Sequence, residues 1–354
     1  MKDKRISTTI LWWGRFNRDY SRNRILRNLL EECGYDLHDF IPRSSLTCSF
    51  EVFFASLPKI HAVWVPAFRQ RDFAAARRFA DKHSIPLIFD PLISAWEKTV
   101  FERNKHPENS PVSQRLLRWE RSLFSGADLV IADTPLHAEF FIDTLYAAKD
   151  STVVIPVGSE ESLFTKQSSP AIQPGVPPEI LFYGSFINLQ APEVIIEAAR
   201  QVPQARWTLL GDGPLRKVCE QKSSGCEHIR FEDWTPYGEL ARRIGQADIL
   251  LGVFGASAKA GRVIPNKVYQ ALACGRPVIT RQSDAYPNQI AEDSGITFIP
   301  AADPDALVLA VREALARRDL LGQQGINAHQ THTTWFSETR IKQDLIGALA
   351  KVNI

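Results

Sequence analysis

Apolar positions along this chain fall into short continuous runs, separated by stretches in which they recur every three or four residues. The runs Thr9–Trp13, Ala62–Val65, Leu87–Phe89, Leu129–Ala132 and Val153–Pro156 predict strands in the first half. Ile180–Tyr183, Arg206–Leu210, Ile229–Phe231, Ile249–Val253, Pro277–Thr280 and Ile296–Ile299 predict strands in the second. Between them lie helical spacings such as Ile25, Leu26, Leu29 and Leu30, or Val194, Ile195, Ala198 and Ala199. Strands that are apolar on both faces and joined by helices imply parallel α/β sheets covered on both sides.

The alternation breaks once. Lys166–Pro178, KQSSPAIQPGVPP, reads as a linker, because proline, serine and glycine disfavour continued helix or strand. The expected organisation is a Rossmann-like domain over 1–168, a linker over 169–178, a second Rossmann-like domain over 179–335 and a tail over 336–354. Two doubly wound sheets of this kind, facing one another, would place a ligand cleft at the carboxyl ends of their strands.

Composition narrows the class. With 354 residues, 44% apolar and 23% charged, the chain is an ordinary globular mixture rather than a disordered or fibrous one. The net charge of +2 gives no polyanion signal, so nucleic acid is not an expected partner. That near-neutral total is uneven along the chain. Residues 1–124 hold 21 Lys/Arg against 14 Asp/Glu, and residues 125–354 hold 21 against 26, so the first part is the one suited to an acidic partner. No apolar run reaches the roughly 18 to 20 residues of a membrane span. Ile10–Trp13 is too short for a signal-peptide core. Five dispersed cysteines (Cys33, Cys48, Cys219, Cys226, Cys274) suggest neither a disulfide framework nor a zinc site. A cytoplasmic protein with reduced thiols is expected.

The chemistry-bearing motifs cluster in the second half. Gly211-Asp212-Gly213-Pro214 turns from a strand into a helix, where glycine allows a ligand to approach the backbone. The segment Gly252–Thr280 is richer. A small-residue loop carries Lys259 and Arg262, a helix opens at Asn266 and Lys267, and Gly275 stops it. Cations beside the free N–H groups of a helix start suit a diphosphate. Trp234, after the strand Ile229–Phe231, could pack beside a base or into the fold. In the first half, Gly14 and Arg15 follow the first strand, and Arg22 and Arg24 open the next helix. Asp90 ends a buried strand before Pro91 and is a candidate catalytic or acceptor-orienting group, with Ser94, Glu97 and Arg103 nearby. A capping aspartate is the alternative. His137 reads as a packing residue. Arg115–Phe124 is basic and amphipathic, so it suits either an anionic membrane surface or an ordinary surface helix.

These motifs resemble glycosyltransferase family 4, which has the GT-B fold. Phe182–Ala199 is similar to the family's strand followed by G-x-L-x-x-x-K-G, Gly211–Pro214 to its G-x-G-P, and Gln270–Ile279 to its E-A-x-A-x-G-x-P-V-I. The resemblance implies retaining transfer of a sugar from a UDP- or GDP-sugar to a hydroxyl of a glycan, lipid-linked or small-molecule acceptor. It also implies no metal cofactor and a tail helix that packs back on the first domain. It points to polysaccharide or cell-envelope synthesis, in the cytoplasm with possible contact to the inner face of the membrane. By position, the donor would meet Gly14, Gly184, Ser185, Gln190, Gly211, Asp212, Gly213, Trp234, Lys259, Arg262, Asn266, Lys267 and Gln270. Asp90, Arg262 and Lys267 would serve catalysis, and Arg15, Arg22, Arg24, Ser94, Glu97 and Arg103 the acceptor side. The chain departs from the pattern. The family's two glutamates are Arg262 and Gln270 here, and its diphosphate-gripping arginine and lysine are Ser185 and Gln190. The expected resolution is that Lys259, Arg262 and Lys267 carry the relocated charge. A GT-B sugar-nucleotide epimerase and a non-catalytic nucleotide-sugar-binding relative are the alternatives.

Overall fold

A computed structural model describes residues 8–103, 105–170, 175–290 and 292–354. The chain divides into two compact units, 1–157 with 338–354, and 158–337. Both are parallel sheets wrapped by helices.

The first unit holds β1 (Thr9–Trp13), β2 (Asp36–Phe40), β3 (Ala62–Val65), β4 (Leu87–Phe89), β5 (Leu129–Ala132) and β6 (Thr152–Val154), in the order β2-β1-β3-β4-β5-β6. Side chains alternate across the sheet. Ile10, Trp12, Ala62, Trp64, Ile88 and Leu129 face one side, under the helix Ser21–Glu32 and the C-terminal helix Glu338–Ala350, which contributes Ile341, Leu345, Ala348 and Leu349. Trp12 and Trp64 stack there with ring centroids 4.9 Å apart. Leu11, Trp13, Val63, Val65, Leu87, Phe89 and Val130 face the other side, under helices Phe73–His83, Pro111–Phe124 and Pro135–Asp143. The tail helix therefore belongs to the first unit, as expected. Helix Pro111–Phe124 spends its apolar face on this core: Leu117, Leu123 and Phe124 are buried and Trp119 packs against them. Of the two readings of Arg115–Phe124, the ordinary surface helix packed on the core is therefore the one that fits, since the face needed for lipid is already covered.

The second unit holds β7 (Glu179–Tyr183), β8 (Arg206–Leu210), β9 (Ile229–Glu232), β10 (Ile249–Leu251), β11 (Val278–Arg281) and β12 (Ile296–Ile299), in the order β12-β11-β10-β7-β8-β9. Its core unites these strands with helices Pro192–Gln201 and Pro304–Ala316. Both sheets follow doubly wound orders. The strand order reverses between β1 and β3 in the first and between β7 and β10 in the second, and such switch points are where open α/β sheets bind ligands.

One strand and one boundary differ from expectation. β2 reads DLHDF, whose polar positions hide an edge strand. The unit boundary lies at Val157 and Gly158 rather than in the proline-rich stretch. The start of that stretch and the residues before it are tied into the second unit: Gln167 N donates to Cys274 O at 3.1 Å, Arg276 donates to Ser168 O, and Phe164 is buried against Tyr237. Residues 171–174 of the predicted linker lie outside the described residues.

The second unit also buries a histidine. Ser159 Oγ sits 2.9 Å from His332 Nε2, joining the unit's first residues to helix Leu321–Trp335. Burial, with help from the charge of His329, pushes the His332 pKa down to about 4. The folded protein thus keeps His332 neutral where the unfolded chain takes up a proton. Its contribution to stability is full above about pH 6.5 and is lost as pH falls towards 4. Urea unfolding at pH 7 and pH 5 checks this. His332→Asn should lose less stability than the parent over that interval, by on the order of 2 kcal/mol, and equal losses would contradict it.

Candidate functional site

In the second unit the chain leaves β7 and β8 through glycines at positive φ, Gly184 at 146° and Gly211 at 125°, followed by Gly213 at 154°. The two turns meet backbone to backbone. A Cβ on Gly211 would sit 2.2 Å from Gly184 O, and one on Gly213 would sit 2.7 Å from Phe186 N. Phe186 N donates to Asp212 O at 2.9 Å, and Leu215 N to Phe186 O at 3.0 Å. No side chain fits at these positions, so the carboxyl ends of β7 and β8 present bare backbone.

Lys267 enters this floor from the first turn of helix Asn266–Ala273. Its Nζ donates to Gln190 Oε1 at 2.6 Å and lies 3.7 Å over the ring of Phe182. A Cβ on Gly184 would lie 3.0 Å from that nitrogen. Among the described residues no carboxylate pairs with Lys267, and burial alone holds its pKa well below the usual lysine range. A buried amine with only an amide oxygen and an aromatic face for company is costly to keep charged.

The structure therefore brings together Gly184, Gln190, Gly211, Gly213 and Lys267, with Trp234 at the edge. Trp234 is about half exposed, and its Cη2 lies 3.3 Å from a Cβ built on Gly211. Ser185 and Asp212 are exposed beside them, and Asp212 Oδ1 accepts from Gly213 N at 2.7 Å. Lys259 and Arg262 are placed differently from expectation. The segment is not all loop but contains a short helix, Ala258–Arg262, capped by Ser257. That helix buries Lys259 and half-buries Arg262. Asn266 opens the longer helix that carries Lys267. Gln270 is buried, and its Oε1 accepts from Tyr183 Oη at 2.9 Å. Its carbonyl oxygen thus works inside the fold, where the resemblance would have it meet a ribose.

Two arginines that the sequence did not single out brace the floor. Arg216 Nη1 donates to Gly211 O and to Asp233 Oδ1, both at 2.7 Å. Arg281 Nη1 donates to Gly255 O at 2.6 Å and to Ser257 O at 3.3 Å. Gly255 in turn approaches the carbonyls of Asn188 and Leu189 too closely for a side chain, which sets the β10 turn against the loop bearing Gln190.

In the first unit, Gly14 follows β1 at φ 126°, and a Cβ there would lie 2.6 Å from Asp72 Oδ2. Asp72 pairs with Arg69, so Gly14 admits that ion pair against the backbone at the β1/β3 switch. Asp90 and Arg22, both expected to meet substrate, instead meet each other. Arg22 Nε donates to Oδ1 at 2.8 Å and Oδ2 at 2.9 Å of Asp90, and Arg22 Nη1 donates to Ile155 O at 3.1 Å. Both side chains are fully buried. Burial raises the Asp90 pKa against the pull of the Arg22 charge. This pair pins helix Ser21–Glu32 to the ends of β4 and β6, and a carboxylate held this way is not presented to a substrate. Ser94 and Glu97 form part of a second buried network. Ser94 Oγ caps Glu97 N and donates to Glu120, whose Oε2 also accepts from Trp96 N at 2.8 Å. Arg15 and Arg103 are exposed, and Arg24 is partly buried. His137, read as packing, is buried on Phe141 and its Nδ1 meets Asp133 at the end of β5.

Two doubly wound parallel sheets of Rossmann-like order define the class as α/β proteins of the GT-B type. The model of "Glycosyl transferases group 1" matches residues 177–317 and that of "Glycosyl transferase 4-like domain" matches residues 34–158. The chain belongs to this glycosyltransferase family. It is 25% identical over 237 residues to the D-inositol 3-phosphate glycosyltransferase of Geodermatophilus obscurus, a match covering 61% of this chain and 51% of that protein. The chain thus spans about half the length of this curated relative. Among solved structures, sucrose-phosphate synthase of Thermosynechococcus elongatus superposes with TM-score 0.76 at 16% identity, covering 98% of each chain. HepE of Anabaena, solved with UDP, superposes with TM-score 0.72 at 14% identity, covering 97% of this chain and all of that one.

Lys267 carries a stability cost that its removal exposes. Replacing Lys267 by Met together with Gln190→Leu keeps the volume and removes both polar partners, and a buried charge exchanged for a packed hydrophobe is neutral to stabilising. A thermal melt of the double variant should show a Tm equal to the parent's or a few degrees higher. A fall of several degrees would contradict the assignment of Lys267 as a buried amine without a counter-ion.

Proposed function

We propose that the protein is a glycosyltransferase that holds the diphosphate of a nucleotide-sugar on the Gly184–Gly211–Gly213 floor, with Lys267 as the principal cation. It passes the sugar to an acceptor hydroxyl with retention of configuration. The observation that carries this reading is the Lys267 amine, buried at the β7/β10 switch without a carboxylate. A diphosphate there exchanges water for a charge-assisted contact and supplies the counter-charge the amine lacks. Breaking the sugar–oxygen bond builds charge on the departing diphosphate, so a fixed cation at that place stabilises the transition state more than the bound donor. The acceptor's oxygen forms the new bond to the anomeric carbon, and its proton leaves to the diphosphate.

UDP is the favoured nucleotide, supported by the UDP complex of HepE. An anionic acceptor is supported by the basic character of residues 1–124 and by the inositol phosphate named for the Geodermatophilus relative. The reading calls for no metal, since Lys267 and backbone N–H groups meet the charge. The Arg22–Asp90 pair has a structural place in it, so the acceptor is oriented by other groups of the first unit.

Calorimetric titration with UDP and GDP tests the donor site. The parent should bind one of them, and Lys267→Met should weaken that binding roughly 30- to 100-fold, the worth of a charge-assisted contact. Equal affinity in the variant would overturn the site. Incubation with UDP- and GDP-sugars and hydroxyl acceptors, with products read by NMR, tests the reaction. A glycosylated product of unchanged anomeric configuration is expected. An epimerised sugar nucleotide, or binding without turnover, would overturn it in favour of an epimerase or a non-catalytic relative.

A further inference from the structure

Four large apolar side chains stand out into solvent within nine residues of the first unit: Leu46 is 94% exposed, Phe50 69%, Phe53 72% and Phe54 68%. They follow β2: Leu46 in the turn before the short helix Cys48–Glu51, Phe50 on that helix, and Phe53 and Phe54 in the turn after it. Single exposed hydrophobics are commonplace, but a contiguous group is not. This one is contiguous. The rings of Phe50 and Phe54 meet edge to face at 4.9 Å, and those of Phe53 and Phe54 at 5.2 Å.

Behind the aromatics, between this segment and helix Phe73–His83, lies a cavity of about 690 Å³. Its walls are mixed, with Val52, Leu57, Ile60 and Phe79 among the apolar residues. Its polar side chains are Ser49, Lys59, Arg78, Lys82 and His83, with no acidic residue. The cations are drawn to the aromatics: Lys82 Nζ lies 5.5 Å over the ring of Phe53, and Arg78 Nη2 donates to Ser49 Oγ at 2.7 Å. The nearby acids are turned to local partners. Glu51 accepts from Thr47 Oγ1 and Arg43 N, and Asp81 pairs with Arg77. The surface therefore offers an aromatic platform and, beside it, a hollow lined by apolar and cationic side chains.

We propose that this face, Leu46–Ile60 with Arg78, Lys82 and His83, docks on an anionic lipid bilayer. Phe50, Phe53 and Phe54 enter the headgroup boundary while Lys59, Arg78 and Lys82 meet lipid phosphates. The charge complementarity selects the occupant. Aromatic side chains favour the membrane interface, and each Lys or Arg held near an anionic leaflet adds about 1 kcal/mol of attraction, or roughly fivefold in partitioning. A protein partner would be expected to meet such cations with acids of its own and would not need the lipid. The place is separate from the carboxyl ends of β1 and β3, and from helix Pro111–Phe124, whose apolar face is buried. The inference does not rest on the transferase reading, because binding to vesicles needs neither donor nor acceptor.

Sedimentation of the full-length protein with vesicles tests it, using phosphatidylcholine alone and phosphatidylcholine mixed with phosphatidylglycerol. The protein should pellet with the mixed vesicles, much less with the neutral ones, and less as salt is raised. Lys59→Gln with Lys82→Gln should lower partitioning on the order of 20- to 30-fold. Phe50→Ser, Phe53→Ser and Phe54→Ser together should abolish it. All five substituted positions are surface-exposed, so an unchanged melting temperature confirms that the variants fold. No pelleting with anionic vesicles, or pelleting indifferent to the phenylalanine changes, would overturn the proposal. A parent that self-associates through these phenylalanines without binding lipid would overturn it in favour of a protein interface.

Discussion

Everything in the second unit's site depends on one unfavourable arrangement, an amine buried without a counter-ion. Lys267 is held by the Gln190 amide oxygen and the face of Phe182, and neither compensates the loss of water around a full charge. The surroundings that make this tolerable also make it useful. Gly184, Gly211 and Gly213 remove side chains from the floor, so an anion can come to the backbone as well as to the amine. Arg216 and Arg281 then fix the carbonyls of Gly211 and Gly255, which keeps the turns from collapsing into the space. On the proposed reading, stability is given up at this point in exchange for an anion site, a familiar pattern where function and folding compete for the same residues.

The first unit solves a different problem with its buried charges. Arg22 and Asp90 satisfy one another through a forked contact, and Arg22 reaches on to the carbonyl of Ile155. Such a pair adds little net stability but becomes very costly if one half is removed, so it fixes the arrangement of helix Ser21–Glu32, β4 and the end of β6. Glu120 does the same for the turn after β4 by collecting Ser94 Oγ and the N–H groups of Ala95 and Trp96. Where Lys267 awaits a partner, these groups already have theirs.

The contrast explains what could be read from the sequence. Ten of the strands announced themselves as apolar runs, and β6 needed only a shift of its limits. β2 did not, because an edge strand with polar alternate positions lacks that signal. Lys267 was legible as a cation at a helix start, since its neighbours Pro265 and Asn266 mark the turn. Gln270 was misread because spacing places it on the right helix but does not report that Tyr183 occupies its oxygen. Asp90 was misread for a related reason: the end of a buried strand is where a catalytic carboxylate would sit, and equally where a carboxylate would anchor a distant arginine. Sequence separation hid its partner, 68 residues away. The exposed phenylalanines after β2 left no periodic trace, because their meaning lies in being uncovered, and only the folded surface shows that.

The measurement that bears most directly on the account is the proton balance of nucleotide binding. Calorimetric titration of the parent and Lys267→Met with a nucleoside diphosphate, at several pH values from about 7 to 10 and in buffers of different ionisation enthalpy, reads that balance. Lys267 is held well below its ordinary pKa in the free protein, and a diphosphate beside it would restore its charge. The account predicts that, somewhere in that range, the parent takes up more protons on binding than Lys267→Met does, seen as a steeper dependence of the apparent enthalpy on the buffer. An equal dependence on the buffer in the two proteins at every pH would contradict it.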